Sequence, residues 1–317
     1  MLITIPASGL QLINPGRRHD ARTGNVPALG LSEAEKRPAT PEAALAALHH
    51  VVAQLSSVQD PRAAFPDVYA VITQKVIERL NDGSGYFHAP EFISMLVGVF
   101  TTRYLQTLDW SLRGVPQDCH GWDLAYRLAA QDELPATAHA VLGISAHINY
   151  DLALGIHEVV VRLGAAGDQA RLELFKHDHD AVNALLAASF PESMRRLREV
   201  HGCALMQLLP DAAAGQFTPG LLQVLSGWRD DVWRNMLDLL DATSAAERAA
   251  VISRMDERAA EVGATIAQHS TVSAWLVRLL GPGIRFWHTA TGPFFRGLRA
   301  PVPWLAGHYR RVTYAAT

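Results

Sequence analysis

Apolar residues along the chain recur with the period of a helix, and no segment alternates with the period of two that predicts a strand. Val68, Ile72, Val76 and Leu80 form one such stripe. A longer tract at about 136–163 has apolar residues on most of its faces, as is typical of a helix buried by its neighbours. The pattern therefore predicts an all-α fold, a multi-helix bundle around a central apolar helix at about 136–163.

Capping and breaking residues divide the rest of the chain. Thr40-Pro41-Glu42 combines an N-cap with a proline suited to the first helical position, and Ser244-Ala245-Ala246-Glu247 is a capping box. Asp178 or Asp180 is a natural N-cap for the helix after the central one. We expect helices at about 40–55, 66–80, 90–112, 120–131, 192–208 and 219–241, and a last helix from 244 to Leu280 that stops at Gly281-Pro282-Gly283.

The two ends of the chain differ from its middle. Residues 1–39 contain scattered prolines without a period and predict an irregular arm, followed by a single helical domain at 40–280. Residues 281–317 mix aromatic side chains with arginines. We interpret them as a cover packed on the bundle, with a peripheral membrane or partner surface as the alternative.

Composition narrows the classes of function. With 317 residues and 49% apolar content, the chain can bury a large core. A formal charge of -3 with interspersed acids and bases disfavours nucleic acid as a partner. Two cysteines favour a reducing, cytoplasmic location, and no uncharged run approaches the ~20 residues of a transmembrane helix. The oligomeric state stays open.

The candidate chemistry is concentrated in residues 146–152, Ala-His-Ile-Asn-Tyr-Asp-Leu. On a regular helix His147 and Asp151 lie four residues apart, about 40° from each other, so they can hold one ion or bond each other. Asn149 lies between them and is a further catalytic candidate. The alternative interpretation is a buried hydrogen-bonded pair that only fixes helix packing.

Neighbouring polar residues on the same tract could join this pair. Glu158 returns to nearly the same face as Asp151 and is a candidate base, whereas His157 lies about 120° away unless the helix bends near Gly155. His139 lies two turns upstream and could face the same cavity, where it would contact substrate.

A second polar cluster, 177–180, follows the central tract. Imidazole and carboxylate ligands without cysteine suit zinc, iron or manganese. The candidate metal ligands are His147, Asp151, His157, His177, Asp178 and His179. Asn183, Arg229 and Trp233 complete the substrate-binding candidates; Arg229 and Trp233 could stack on each other or face an anionic substrate.

The spacing His147-x3-Asp151-x5-His157 resembles the helical motif of zinc-dependent phospholipase C and S1/P1-type nucleases. That resemblance implies a zinc site and phosphoester hydrolysis. The nearest candidate for the further motif of that class is His179-x3-Asn183, in which asparagine stands where the class has a carboxylate.

A broader resemblance, over about Phe65 to Leu240, is to an uncharacterised family of bacterial helical proteins with the motif Ala-His-Ile-Asn-x-Asp-Leu. It implies a helical fold and the position of the site but no reaction. The other residues that carry it are Phe65, Pro66, Asp67, Val68, Tyr69, Thr73, Phe100, Tyr104, Trp122, Asp178, Asn183, Arg229 and Trp233.

Three functional hypotheses follow. The first is a metal-dependent enzyme that hydrolyses an ester or phosphoester at His147 and Asp151, with Glu158 or a second histidine as base. The second is a metal-free acid-base cyclase or isomerase acting on a hydrophobic metabolite. The third is a non-catalytic helical protein that binds a lipid or apolar metabolite.

Overall fold

The computed structural model describes residues 28–131, 134–202 and 211–291, and within them it is helical without any strand. The all-α prediction is confirmed. The helices are α1 (Pro41–Ser57), α2 (Ala64–Asn81), α3 (Pro90–Leu112), α4 (His120–Gln131), α5 (Ala136–Ala146), a π-helical segment (His147–Leu152), α6 (Ala153–Arg162), α7 (Gln169–Glu199), α8 (Asp211–Asp241) and α9 (Ala245–Thr291), with a 3₁₀ turn at Pro61–Ala63.

Two predicted helix starts are confirmed by their caps. The Thr40 hydroxyl accepts a hydrogen bond from the Ala43 amide at 3.2 Å, with Pro41 at the first helical position. At the start of α9, the Ser244 hydroxyl accepts from the Glu247 amide, and the Glu247 carboxylate accepts from the Ser244 amide. Local side-chain bonds of this kind act within three residues, so the sequence alone is enough to place them.

The predicted start of the helix around 178, and the separate helix predicted after it, are wrong. Asp168, not Asp178 or Asp180, caps α7 by accepting from the Arg171 amide. The helix then continues through Pro191 to Glu199, so the separate helix expected at 192–208 is absent from the described residues. Asp178 therefore lies inside α7, and its carboxylate bonds the backbone of another element, as described below.

The last helix is also longer than expected. Its backbone continues to Thr291, past Gly281-Pro282-Gly283, whereas a stop at Leu280 was predicted. Proline removes one backbone donor and glycine lowers helix propensity, but neither fixes a helix end by itself.

The central tract forms one continuous helical run, from Ala136 to Arg162. Its first part, α5, contacts α2 and α4, and α6 contacts α3 and α8. The π-helical segment between them contacts α3 and α8. Because partners lie on several sides, even the polar residues His147, Asn149 and Asp151 are buried.

The chain divides into two compact units between Thr271 and Val272. Of the predicted N-terminal arm, residues 28–39 are described and are irregular, with Leu29 and Leu31 buried. The predictions for 1–27 and for 292–317 lie outside the described residues. No helix in the described part of the chain combines the length and the apolar character that crossing a bilayer requires.

Candidate functional site

The His147–Asp151 pair lies in the π-helical segment His147–Leu152. A π turn adds a residue to the helical turn, and such turns occur often at functional sites. His147 Nδ1 lies 2.8 Å from Asp151 Oδ2, and both side chains are buried. The predicted pairing of these two residues is therefore present, on a wider turn than the regular helix that the spacing suggested.

A tryptophan from α4 bonds the aspartate of this pair. The Trp122 indole Nε1–H donates to the same Asp151 oxygen at 2.8 Å. Asp151 thus accepts two bonds from groups that are themselves buried, which holds its carboxylate in one position. Removing either donor would leave part of the carboxylate unsatisfied, at a cost of about 1–3 kcal/mol.

Aromatic rings enclose the imidazole of His147. Phe100 lies parallel to it with ring centroids 3.4 Å apart. Phe65 and Tyr69 meet it edge-on, with centroids at 5.5 and 5.1 Å. These rings exclude water from the imidazole and fix its plane.

Burial lowers the pKa of His147, and the hydrogen bond with Asp151 offsets only part of this effect. The imidazole is therefore neutral at pH 7. With a carboxylate at Nδ1, the proton lies on Nδ1 and is donated to Asp151. Nε2 then carries a lone pair, and this atom is buried without a hydrogen-bond partner among the described residues.

His147 lines a cavity of about 120 Å³ that is enclosed by the π-helical segment together with α2, α3, α5, α7 and α8. Most of the lining is apolar, including Val76, Ile93, Leu96 and Leu225. The polar groups of Tyr69 and Thr73 are already paired, since the Tyr69 hydroxyl bonds Thr101 and the Thr73 hydroxyl donates to the Tyr69 carbonyl. An apolar cavity with a few convergent polar groups is the usual form of a small-molecule site.

Two further polar residues, His179 of α7 and Arg229 of α8, line the same cavity. They are bonded reciprocally: His179 Nε2 donates to the Arg229 carbonyl at 3.1 Å, and the Arg229 guanidinium donates to the His179 carbonyl. Burial, together with the charge of Arg229, lowers the pKa of His179 well below its ordinary value. Its Nδ1 is a second buried acceptor without a partner in the described residues.

Glu158 and His157 take part in other contacts. Glu158 is half-buried and paired with Arg103 and Arg162. The His157 ring accepts from Arg248 at 3.2 Å, and burial with this arginine lowers its pKa. Neither lines the cavity. The expectation that Glu158 or His157 would join His147 is wrong in this structure, because arginines on α3, α6 and α9 engage both.

Three of the four predicted substrate-binding residues, and the catalytic candidate Asn149, also lie apart from the cavity lining. His139 is buried, and burial lowers its pKa to about 4. Asn149 donates to the Ser145 carbonyl at 3.0 Å, one turn back, where the α-helix gives way to the π turn. Asn183 bonds Ser226, and Trp233 lies against His179 and under Lys176 rather than Arg229. Of the four predicted substrate-binding residues, Arg229 alone lines the cavity.

The six predicted metal ligands do not surround one ion. Asp178 accepts the backbone amides of His88 and Ala89, at 2.8 and 2.6 Å, just before α3 begins. His177 stacks on His88 with ring centroids 4.0 Å apart. Among the described residues, the group close enough to share a metal is His88, His177 and Asp178, whose ligand atoms lie within 4.8 Å of one another.

The family model that matches this chain covers residues 42–269 and is described as a family of unknown function, DUF5995. The chain belongs to this family. The match contains α2 to α8 and therefore the whole lining of the cavity, and it confirms the expected membership of an uncharacterised helical family. No curated protein and no solved structure matches the chain.

The sequence located the pair but not its surroundings. Phe65, Tyr69, Phe100 and Trp122 were singled out only as part of the resemblance, and the structure brings all four to His147. His88 was missed, because a single histidine before a helix carries no signal for its contact with His177.

Proposed function

We propose that this protein is an acid-base enzyme that acts on an apolar small molecule held in the cavity. The observation that carries the proposal is His147, which lines the cavity with a neutral imidazole oriented by Asp151 and an unpaired, buried Nε2. This is the metal-free alternative predicted from the sequence. The mostly apolar lining suits the hydrophobic metabolite of that alternative.

In the proposed reaction, Nε2 takes a proton from a weakly acidic C–H or O–H group of the bound molecule. The imidazolium that forms is stabilised by the Asp151 carboxylate, which Trp122 holds in place. The same Nε2–H then returns the proton at another atom of the substrate, which gives an isomerisation or a cyclisation. General acid-base catalysis of this kind accelerates a reaction by about 10²–10⁴-fold.

A simple apolar ketone, 2-octanone, serves as the probe in place of the substrate. The protein is incubated with it in D₂O, and deuterium incorporation next to the carbonyl is followed by NMR. We expect exchange above the buffer rate, a return to that rate for His147→Gln, and a strong loss for Asp151→Asn. The matched control is His139→Gln, which replaces a buried histidine outside the cavity lining and should leave exchange unchanged.

The outcomes separate the hypotheses. Binding of 2-octanone without deuterium exchange would favour the hypothesis of a non-catalytic binding protein and overturn the hypothesis of an acid-base enzyme. Exchange that persists in His147→Gln would overturn the assignment of the base. If a panel of apolar ketones, aldehydes, alcohols and carboxylic acids neither binds nor raises the melting temperature, the cavity is not a ligand site.

A metal-dependent hydrolase is a second proposal, and the group that supports it is His88, His177 and Asp178 rather than His147 and Asp151. Two imidazoles and one carboxylate suit zinc. Zinc titration of untagged protein, followed by calorimetry, is the test. We expect one site that is lost in both His88→Ala and His177→Ala and kept in His147→Gln. Loss in His147→Gln alone would return the metal to the first predicted pair, and no binding at all would end this proposal.

A further inference from the structure

The buried guanidinium of Arg229 limits which apolar molecules the cavity can hold. Arg229 is 6% exposed and lines the cavity, where no carboxylate is found among the lining residues. It makes no ion pair with any described residue. A buried cation without a counter-ion is unfavourable, and proteins normally pair such a group.

The reciprocal bond with His179 does not supply the missing charge. A backbone carbonyl accepts one guanidinium N–H, whereas the group has five donors and a full positive charge. Its Nε–H is buried and has no partner in the described part of the chain. Burial lowers the pKa of Arg229 to about 10, against the attraction of Asp180 and Asp230, so the group is still charged at pH 7.

The bond with His179 does fix the position of this cation. It ties the guanidinium to α7 and the His179 ring to α8, so the charge is held at the cavity wall rather than extended into solvent. A planar guanidinium with free N–H groups matches a carboxylate in both charge and geometry. The rest of the lining matches a hydrocarbon.

We propose that the ligand of this cavity is an apolar carboxylic acid, bound as the carboxylate with its charge on Arg229 and its hydrocarbon chain along the apolar lining. This proposal rests on the proposed use of the cavity and names the class of substrate. His147 would then face an acidic proton of a molecule whose carboxylate is anchored on α8.

The experiment compares octanoate with 1-octanol, which has the same number of carbons and no charge. Binding is measured by calorimetry at pH 7.5 to the full-length protein. Because a charge-assisted hydrogen bond is stronger than a neutral one, we expect octanoate to bind about tenfold or more tightly than 1-octanol. Octyl phosphate is included as a second anion, and tighter binding of octyl phosphate would overturn the choice of a carboxylate.

Arg229→Met keeps an unbranched side chain and removes the charge. We expect it to lose the preference for octanoate while 1-octanol binds as before. Arg234→Met is the matched control, since Arg234 lies on the same helix in an exposed pair with Asp231 and should leave both affinities unchanged. Where Arg229→Met does not fold, Arg229→Lys provides the comparison, with octanoate retained but weakened.

The failures are distinguishable. If octanoate and 1-octanol bind equally and Arg229→Met changes neither, the role of Arg229 in ligand binding is overturned while the cavity stands. If neither binds, and hexanoate, decanoate and the corresponding alcohols also fail, the proposed use of the cavity fails with it.

Discussion

The ring of Phe100 lies on the imidazole of His147, with centroids 3.4 Å apart and planes 5° from parallel. This contact covers one face of the histidine, while its Nδ1 edge meets Asp151. The imidazole therefore has little rotational freedom, and Nε2 is its nitrogen without a hydrogen-bond partner in the described residues. For the proposed role of His147 as a base, a fixed orientation reduces the entropy lost when the substrate reacts.

Phe100→Leu should allow the imidazole of His147 to change its orientation. We expect a loss of about 1–3 kcal/mol in the free energy of unfolding from the smaller side chain, and a change in the ¹⁵N signals of His147 because its plane is no longer fixed. Phe92→Leu is the control, since Phe92 stacks on Phe175 with centroids 4.4 Å apart. It should lose stability without changing the His147 signals; equal signal changes in both variants would contradict a specific role for Phe100.

Trp122→Phe should show what the indole N–H contributes. A smaller aromatic ring remains, but the bond to Asp151 is lost, and a hydrogen bond to a charged group contributes about 1.5–3 kcal/mol. Urea unfolding measures the loss. Trp228→Phe is the matched control, because Trp228 is buried with no hydrogen bond from its indole in the described residues. Losses of the same size in both variants would show that volume, and not the bond, matters at Trp122.

Two glycines of the central run should respond differently to substitution by alanine. A Cβ at Gly143 would lie 2.5 Å from the Phe65 side chain, whereas one at Gly155 would have its nearest neighbour at 3.6 Å. Gly143→Ala should therefore displace Phe65 and cost about 1–3 kcal/mol.

Gly155→Ala should be neutral or stabilise by about 0.5–1 kcal/mol, because alanine has the higher helix propensity. Thermal unfolding of both variants is the measurement. A stable Gly143→Ala protein would show that the packing around His147 can relax.

The buried histidines should make the fold sensitive to acid. Burial lowers the pKa of His139, His147 and His179, so the unfolded chain binds more protons than the folded one below the ordinary histidine pKa. The contribution of these neutral histidines to the free energy of unfolding is therefore fully present above about pH 6.5, and it is lost as the pH decreases.

His139 is the cleanest single case. Its pKa of about 4 corresponds to a loss of about 3 kcal/mol between pH 6.5 and 4. We expect His139→Leu to reduce the pH dependence of the unfolding free energy in this range. His120→Leu should not, because His120 is exposed and its bond with Asp256 raises its pKa. An unchanged slope in His139→Leu would show that other groups take up the protons.

The sequence by itself determined the helical class, the caps at Thr40 and Ser244, the extent of the central tract, and the pairing of His147 with Asp151. Each of these depends on periodicity or on contacts within about four residues, which a sequence displays directly. The tertiary structure decided the rest. It brought the carboxylate of Asp178, in α7, to the backbone amides just before α3. It also paired Glu158 and His157 with arginines and brought Arg229 to the cavity of His147. These outcomes depend on which helices pack together, and the apolar stripes that drive packing do not specify which polar groups will meet across the interface.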